Sequence, residues 1–179
     1  MIRRDLRDQF EQTLEEKVDR FLEVKAHPIV PAHHFSSPSR ECAEVYLEGK
    51  FFSAISLTQA IVDSISRFIF KRNDLKADND VDKRLRQLEE SNLVSSSCVE
   101  AMKRIWIYRH DFHHLNPTVP TNVEQLKEIA SANRVDLALI EGEIFAFEIV
   151  NGAIAPRKPK YWDIQPGGIM RVDLRLHLQ

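Results

Sequence analysis

Residues 51–72, FFSAISLTQAIVDSISRFIFKR, are the stretch of sequence that decides the fold. Apolar side chains recur in it every three or four positions and cover one broad face of a helix: Phe51, Ala54, Ile55, Ile61, Val62, Ile65, Phe68 and Ile69. A face this wide is typical of a helix that packs against several neighbours. The sequence therefore predicts a central bundle helix that starts at Phe51 and continues to the polar run at 71–74.

Two helices are predicted before this central helix. The first 25 residues carry, among charged positions, the amphipathic stripe Leu6, Phe10, Leu14, Val18, Phe21 and Leu22. Prolines then interrupt the pattern and predict a connector over residues 27–39, which contains His33 and His34. A second helix is expected from about Ser39 to Gly49.

Three helices are predicted after the central helix. A charged helix anchored by Leu85 and Leu88 follows a polar loop. The next helix is expected from the serines at 95–97 to Asn116, because Pro117 prevents its continuation. Residues 121–124, TNVE, have the spacing of a capping box and predict a short sixth helix.

The character of the chain changes after Asn133. Residues 135–140 and 143–150 have the composition of strands, and the dipeptides Glu141-Gly142 and Asn151-Gly152 that follow them are turn signals. Apolar and polar side chains then alternate from Met170 to Leu178, as in a half-buried strand. The expected fold is mainly α. A helical bundle over residues 1–133 is followed by a small antiparallel β-sheet over residues 134–179, which packs on the bundle because an isolated hairpin is marginally stable.

Composition limits the classes of function. The chain has 179 residues and a formal net charge of −2, which argues against a protein that coats nucleic acid by bulk electrostatics. No apolar run approaches the roughly 18 residues of a membrane span, and the N-terminus lacks the apolar core of a signal peptide. We therefore expect a cytoplasmic protein without a membrane partner, with Cys42 and Cys98 as reduced core residues.

The cluster of residues best suited to chemistry is 108–114, YRHDFHH. The planar guanidinium of arginine fits phosphate oxygens, and histidine titrates near neutral pH. Arg109 with a histidine could therefore bind a phosphodiester and move protons on it without a metal or another cofactor. Lys103, Arg104 and Tyr108 are the candidate nucleic-acid contacts, Tyr108 by stacking on a base.

Two segments of the chain resemble the HEPN superfamily of helical bundles, which includes many ribonuclease toxins. Residues 43–54, AEVYLEGKFFSA, are similar to the family's entry into its central helical hairpin. Residues 109–114, RHDFHH, match the family's Arg-x(4–6)-His motif. The loose motif also occurs at Arg20/His27, Arg104/His110 and Arg171/His177, but the Arg109/His114 pair has the polar neighbour and the position that the family favours. The resemblance covers roughly residues 39–116.

This resemblance implies a metal-independent endoribonuclease of toxin or defence type. Arg109 would stabilise charge on the phosphate, and His114 would act as general base or general acid. His110, Asp111 and His113 would support the pair, His110 by orienting a partner and Asp111 by fixing an imidazole tautomer. The expected partners are RNA and an antitoxin or inhibitor protein. Many related toxins carry a modifiable tyrosine where this chain has Asn116, so regulation by that route is not expected.

The spacing of the pair points to a homodimer. Positions five apart in a regular helix differ by about 140°, so Arg109 and His114 would lie on different faces. A bent arginine side chain or a distorted helix would bring them together. A two-fold dimer would do the same by letting each subunit supply residues to a shared cleft, as the resemblance implies.

Two other functions remain open at the level of sequence. His110, Asp111 and His114 form His-Asp-x-x-His, which is close to the zinc-binding motif of metallohydrolases, with His33, His34, Glu141 or Glu143 as conceivable third ligands. Alternatively, the chain is a non-catalytic module that binds a nucleotide, RNA or a protein partner.

Overall fold

The computed structural model describes residues 2–23 and 27–174, and the protein is mainly α-helical with a small antiparallel β element at its C-terminal end, as predicted. The helices are α1 (Ile2–Glu23), α2 (Ser36–Leu47), α3 (Phe51–Arg72), α4 (Val81–Glu90), α5 (Ser96–Trp106), α6 (Arg109–His114) and α7 (Val123–Ile144). The strands are β1 (Ile29–Pro31), β2 (Phe147–Val150), β3 (Ala153–Pro156) and β4 (Val172–Leu174), and a 3₁₀ turn spans Pro159–Tyr161.

Helix α3 is the central helix that the sequence predicted. Helices α2, α4, α5, α6 and α7 all contact it. Its apolar positions are buried over almost its full length, and Ala54, Ile55, Ile65 and Ile69 are completely inaccessible to solvent. Each buried isoleucine contributes about 1.5–3 kcal/mol relative to an exposed one, so α3 is the main source of hydrophobic stabilisation.

Helix α4 is held on α3 by a buried arginine. The side chain of Arg84 is fully buried, and its guanidinium forms an ion pair with Asp63 of α3. The same guanidinium donates hydrogen bonds to the Ser66 hydroxyl at 2.9 Å and to the Asp78 carbonyl at 2.6 Å. These acceptors offset the cost of removing the charge from water. Leu85 and Leu88 are buried beside it, as their spacing predicted.

The predicted strand over 135–140 is wrong, and the sixth helix is long rather than short. Helix α7 has 22 residues and runs through position 133, at which the domain boundary was predicted. It buries Ala130, Leu137, Ile140 and Ile144, whose spacing is helical. Packing of this face against α3 and α5 outweighs the strand preference of the local composition.

The ends of α7 also differ from the prediction. The Asn122 side chain, rather than that of Thr121, caps the helix by accepting the backbone N–H groups of Glu124 and Gln125. The expected turn at 141–142 is helical. Gly142 is tolerated there because α7 is held by tertiary packing, although glycine weakens a helix by about 1 kcal/mol relative to alanine.

The C-terminal strands form two separate two-stranded sheets. Strands β2 and β3 make the predicted hairpin, but β2 begins at Phe147 rather than at 143, because α7 continues to Ile144. The turn of the hairpin places Asn151 and Gly152 at φ of 51° and 79°. Strand β4 pairs instead with β1, which lies inside the predicted connector. The predicted terminal strand extends to 178, and its last residues lie outside the described part of the chain.

Two further helix boundaries differ from the prediction. Helix α2 begins at Ser36 rather than near Ser39, because the chain turns into the helix directly after the buried Phe35. The single helix expected over 95–116 is two helices, since α5 ends at Trp106 and α6 begins at Arg109. Ser95 caps α5 by accepting the backbone N–H of Cys98 at 3.2 Å.

Helix α1 is joined to the bundle mainly near its C-terminal end. Arg20 is buried and donates to the Leu47 carbonyl at 2.9 Å, and Tyr46 donates to the Glu23 carboxylate at 2.9 Å. Much of its apolar stripe faces solvent, with Leu6 60% exposed and Phe10 56% exposed. Among the described residues, no helix combines the length and the hydrophobicity needed to cross a membrane.

The cysteines lie in the core, as predicted. Cys42 and Cys98 are both buried, and neither is in a disulfide. Burial raises the pKa of the Cys98 thiol to about 12, so it stays protonated at neutral pH.

Replacing Arg84 by alanine should lower the free energy of unfolding by about 2–4 kcal/mol, because Asp63 and Ser66 lose a buried donor while Asp63 keeps Arg67. Urea denaturation followed by circular dichroism measures the change. Arg86→Ala on the exposed face of α4 is the matched control and should change stability by less than about 0.5 kcal/mol. Equal losses in both variants would contradict this role for Arg84.

Candidate functional site

The predicted motif occupies a short helix of its own. The chain turns at Ile107–Tyr108, and α6 then carries residues 109–114. Phe112 is the buried residue of α6, and its ring lies 5.3 Å from that of Phe52 on α3. Leu115 ends the helix in a left-handed conformation with φ of 52°. Because Phe112 faces the bundle, the polar residues of α6 are turned outward.

Arg109 is positioned by an aromatic ring. Its guanidinium lies over the Trp106 indole, 4.6 Å from the ring centroid. Cation–π contact of this kind holds the guanidinium plane without using its hydrogen-bond donors. Arg109 can therefore still offer these donors to an anion.

The histidines of α6 lie close to one another and to Arg109. The rings of His110 and His114 are 4.6 Å apart between centroids. Partial burial lowers the pKa of His113, and the charges of Arg109 and His114 lower it further. A depressed pKa keeps the His113 imidazole neutral at neutral pH, which is the form that accepts a proton.

The hydrogen bonds of Asp111 lie at the end of α6. Its carboxylate accepts a hydrogen bond from the Asn116 side-chain amide at 2.8 Å. This bond is the main reason that the pKa of Asp111 is lowered. The backbone N–H of Asn116 also donates to the Asp111 carbonyl at 3.0 Å, so Asp111 closes the end of α6. In the described structure Asp111 is a positioning residue for the helix end rather than a hydrogen-bond partner of a histidine.

The candidate RNA contacts divide into paired cations and an exposed ring. Lys103 is bound to Glu100 at 2.7 Å, and Arg104 binds both carboxylate oxygens of Asp136 at 2.9 and 2.6 Å. Tyr108 is 48% exposed and lines a cleft of about 960 Å³ between the end of α5 and α7. The tyrosine is free to stack, whereas each cation already has a carboxylate partner.

The arrangement of metal-ligating side chains gives no support to a zinc site. In the described ranges 2–23 and 27–174, no three His, Cys, Asp or Glu side chains converge. Of the conceivable third ligands, Glu141 accepts a hydrogen bond from Ser39 at 2.8 Å and Glu143 accepts the Ser95 backbone N–H at 2.7 Å. His33 and His34 belong to another pocket.

That pocket lies at the C-terminal end of α3, and sequence reasoning did not assemble it. It is lined by His33, His34, Ser64, Arg67, Phe68, Lys71 and Arg72. The histidines are about 30 positions from the helix residues, so no motif spacing connects them. The available signal was the adjacent pair His33-His34 in a segment with three prolines, followed by Lys71-Arg72 at a helix end.

The proximity of Arg109 and His113 can be tested by titration. Replacing Arg109 by alanine should raise the pKa of His113, because a positive charge that disfavours the imidazolium is removed. The Cε1–H resonance of His113 followed by NMR from pH 5 to about pH 9 reports this pKa. Arg104→Ala is the matched control and should leave it unchanged. A His113 pKa that does not move in Arg109→Ala would show that the two side chains are separated.

Arg109, His110, His113 and His114 thus lie together on α6. This helix is separate from α5 because the chain turns at Ile107–Tyr108. Comparison of the chain with family models, with curated proteins and with solved structures finds no match. What favours chemistry at α6 is therefore the arrangement of its own side chains.

Proposed function

We propose that the protein is a metal-independent endoribonuclease whose active site is α6. The observation that carries the proposal is an arginine held over Trp106, with its donors available, on the same short helix as three exposed histidines, of which His113 interacts with it electrostatically. Arg109 binds the scissile phosphate, and the histidines transfer protons. The resemblance of residues 109–114 to the HEPN motif supports the same assignment.

The chemistry requires one base and one acid. A neutral histidine removes the proton of the ribose 2′-OH, and the 2′-oxygen attacks the adjacent phosphorus. A protonated histidine gives its proton to the 5′-oxygen, the P–O5′ bond breaks, and a 2′,3′-cyclic phosphate and a 5′-hydroxyl are formed. Arg109 stabilises the charge that develops on the phosphate oxygens.

His114 serves as base or acid, and His113 is a further candidate because its lowered pKa favours the neutral form. The need for a 2′-OH predicts cleavage of RNA and not of DNA.

We propose that a homodimer completes this site. Exposed apolar residues bracket α6: Ile107 is 69% exposed and Leu115 is 71% exposed. Large apolar side chains beside a polar cluster are typical of an interface. An isologous contact through this patch would place two copies of α6 side by side and would provide two histidines and two arginines for one cleft.

The biological setting proposed here is cytoplasmic and of toxin or defence type, and it rests on the HEPN resemblance. An antitoxin or inhibitor protein would act most directly by covering α6. The same apolar residues that suit a second subunit would also suit such a protein, since both must displace water from Ile107 and Leu115.

A binding module is the second candidate, and the pairing of cations favours it. Lys103 and Arg104 are held by Glu100 and Asp136, so few free positive charges surround α6 to bind an RNA backbone. The cleft beside Tyr108 would then receive an apolar group of a partner. The two candidates differ in one observable, which is cleavage.

The ribonuclease proposal predicts cutting of labelled tRNA and mRNA in EDTA by the wild-type protein. Arg109→Ala and His114→Ala should each lower the rate by about 10²–10⁴-fold, since each removes charge stabilisation or proton transfer. Arg86→Ala is the matched arginine control and should retain full activity. Absence of cleavage by the wild-type protein would favour the binding module, and equal cleavage by all variants would contradict the roles of Arg109 and His114.

The dimer proposal predicts that two inactive variants rescue one another. When Arg109→Ala and His114→Ala subunits are mixed, mixed dimers should regain part of the activity because one subunit supplies Arg109 and the other His114. Leu115→Asp should give a monomer in light scattering and lose cleavage, whereas Leu75→Asp, at an exposed apolar position far from α6, should do neither. Absence of rescue together with an active Leu115→Asp monomer would contradict the shared site.

A further inference from the structure

The pocket at the C-terminal end of α3, called here the α3 pocket, has the composition of an anion site. Ser64, Arg67 and Lys71 follow one another at helical spacing on α3 and share a face. His33 and His34 of the connector line the same pocket. The pocket has a volume of about 370 Å³, which is within the range of small-molecule sites.

The charges around the α3 pocket are unbalanced. Arg67 is paired with Asp63, which also neutralises Arg84, and Arg72 is paired with Asp163. The three cations that line the pocket, Arg67, Lys71 and Arg72, therefore face two carboxylates, and one of these, Asp63, is shared with the buried Arg84. Lys71 is exposed and has no ion pair within the described part of the chain. The local excess of positive charge contrasts with the formal net charge of −2 for the whole chain.

The side chains of the α3 pocket still have hydrogen-bonding groups available for a ligand. An arginine has five N–H donors, and the contacts with carboxylates use only part of them. The Arg67 Nε donates to Asp63 at 3.1 Å, which leaves its terminal nitrogens available. The His34 Nε2 lies 2.7 Å from the Ser64 hydroxyl, so the two groups form one polar unit at the pocket wall.

His33 is held in a defined state at the base of the α3 pocket. Its side chain is 11% exposed, with Nδ1 at 3.5 Å from the Asp163 carboxylate. The Arg72 Nη2 lies 3.4 Å from the His33 Nε2, which therefore accepts while Nδ1–H faces Asp163. The Phe68 ring supports both groups, 4.6 Å from the His33 ring and 5.1 Å from the Arg72 guanidinium. Burial is the main cause of the lowered pKa of His33.

We propose that the α3 pocket binds a phosphate dianion, either free or as the phosphate group of a small monoester, with Lys71, Arg67 and Arg72 as the cationic ligands and His34 and Ser64 as polar ones. Guanidinium forks match phosphate oxygens, and a dianion matches the excess charge of the pocket. The group is carried either by inorganic phosphate itself or by a nucleoside monophosphate, and the pocket volume accommodates both.

This site is separate from the proposed ribonuclease centre. Phe52 contacts α6, whereas Phe68 lies in the α3 pocket, and 16 residues of helix at about 1.5 Å per residue place them roughly 24 Å apart along α3. Loss of phosphate binding and loss of RNA cleavage are therefore independent outcomes.

The test is a titration of the full chain with inorganic phosphate, AMP and adenosine at constant ionic strength. Binding is followed by NMR of the histidine Cε1–H groups. Phosphate and AMP should shift the His33 and His34 resonances in a saturable way, and adenosine should not. Tighter binding of AMP than of phosphate would identify the nucleotide as the source, and equal binding would identify free phosphate.

Lys71→Gln removes an exposed cation without breaking an ion pair and should weaken phosphate and AMP binding about tenfold, as expected for one charge-assisted hydrogen bond. Adding His34→Gln should weaken it further. Lys76→Gln, another exposed lysine just beyond α3, is the matched control and should bind like wild type. Lys71→Gln should keep any RNA cleavage, because it is distant from α6. Shifts that do not saturate, or equal affinity in Lys71→Gln and Lys76→Gln, would overturn the proposal.

Discussion

The structure depends on the burial of α3. This helix presents apolar side chains over one broad face, and their contact with water is removed only when α2, α4, α5, α6 and α7 cover that face. The need to bury α3 therefore determines where the covering helices lie. Phe112 is an example, because its contact with Phe52 draws α6 onto the bundle although α6 is too short to be stable alone.

The same constraint separates the polar groups from the core. Once Phe112 is buried, the remaining residues of α6 must face outward, so Arg109 and the histidines become available to solvent and to one another. At the C-terminal end of α3, the buried Phe68 ring contacts the Arg72 guanidinium and the His33 ring. These two polar groups therefore lie at the edge of the core. Both candidate sites therefore result from the packing around α3. In each site an aromatic ring contacts an arginine guanidinium: Trp106 contacts Arg109, and Phe68 contacts Arg72.

Charge is distributed unevenly over these two regions. Near α6, Lys103 and Arg104 each form an ion pair with a carboxylate. Arg109 instead makes a cation–π contact with Trp106. In the α3 pocket the cations outnumber the carboxylates, and the two histidines add further donors. This difference is one reason for proposing catalysis on a phosphodiester at α6 and binding of a small anion in the α3 pocket.

The sequence by itself determined the central helix, the charged helix and the Asn151-Gly152 hairpin, because each follows from local periodicity or from a turn that few residues can adopt. It did not determine the secondary structure of residues 135–140. Their composition is typical of a strand, but contacts of Leu137 and Ile140 with the core favour a helix. Only the tertiary structure decided the break at Ile107–Tyr108, the pairing of β4 with β1 and the assembly of His33 and His34 with Lys71 and Arg72. These features join segments far apart in the chain or depend on what a side chain packs against, and a local pattern carries neither kind of information.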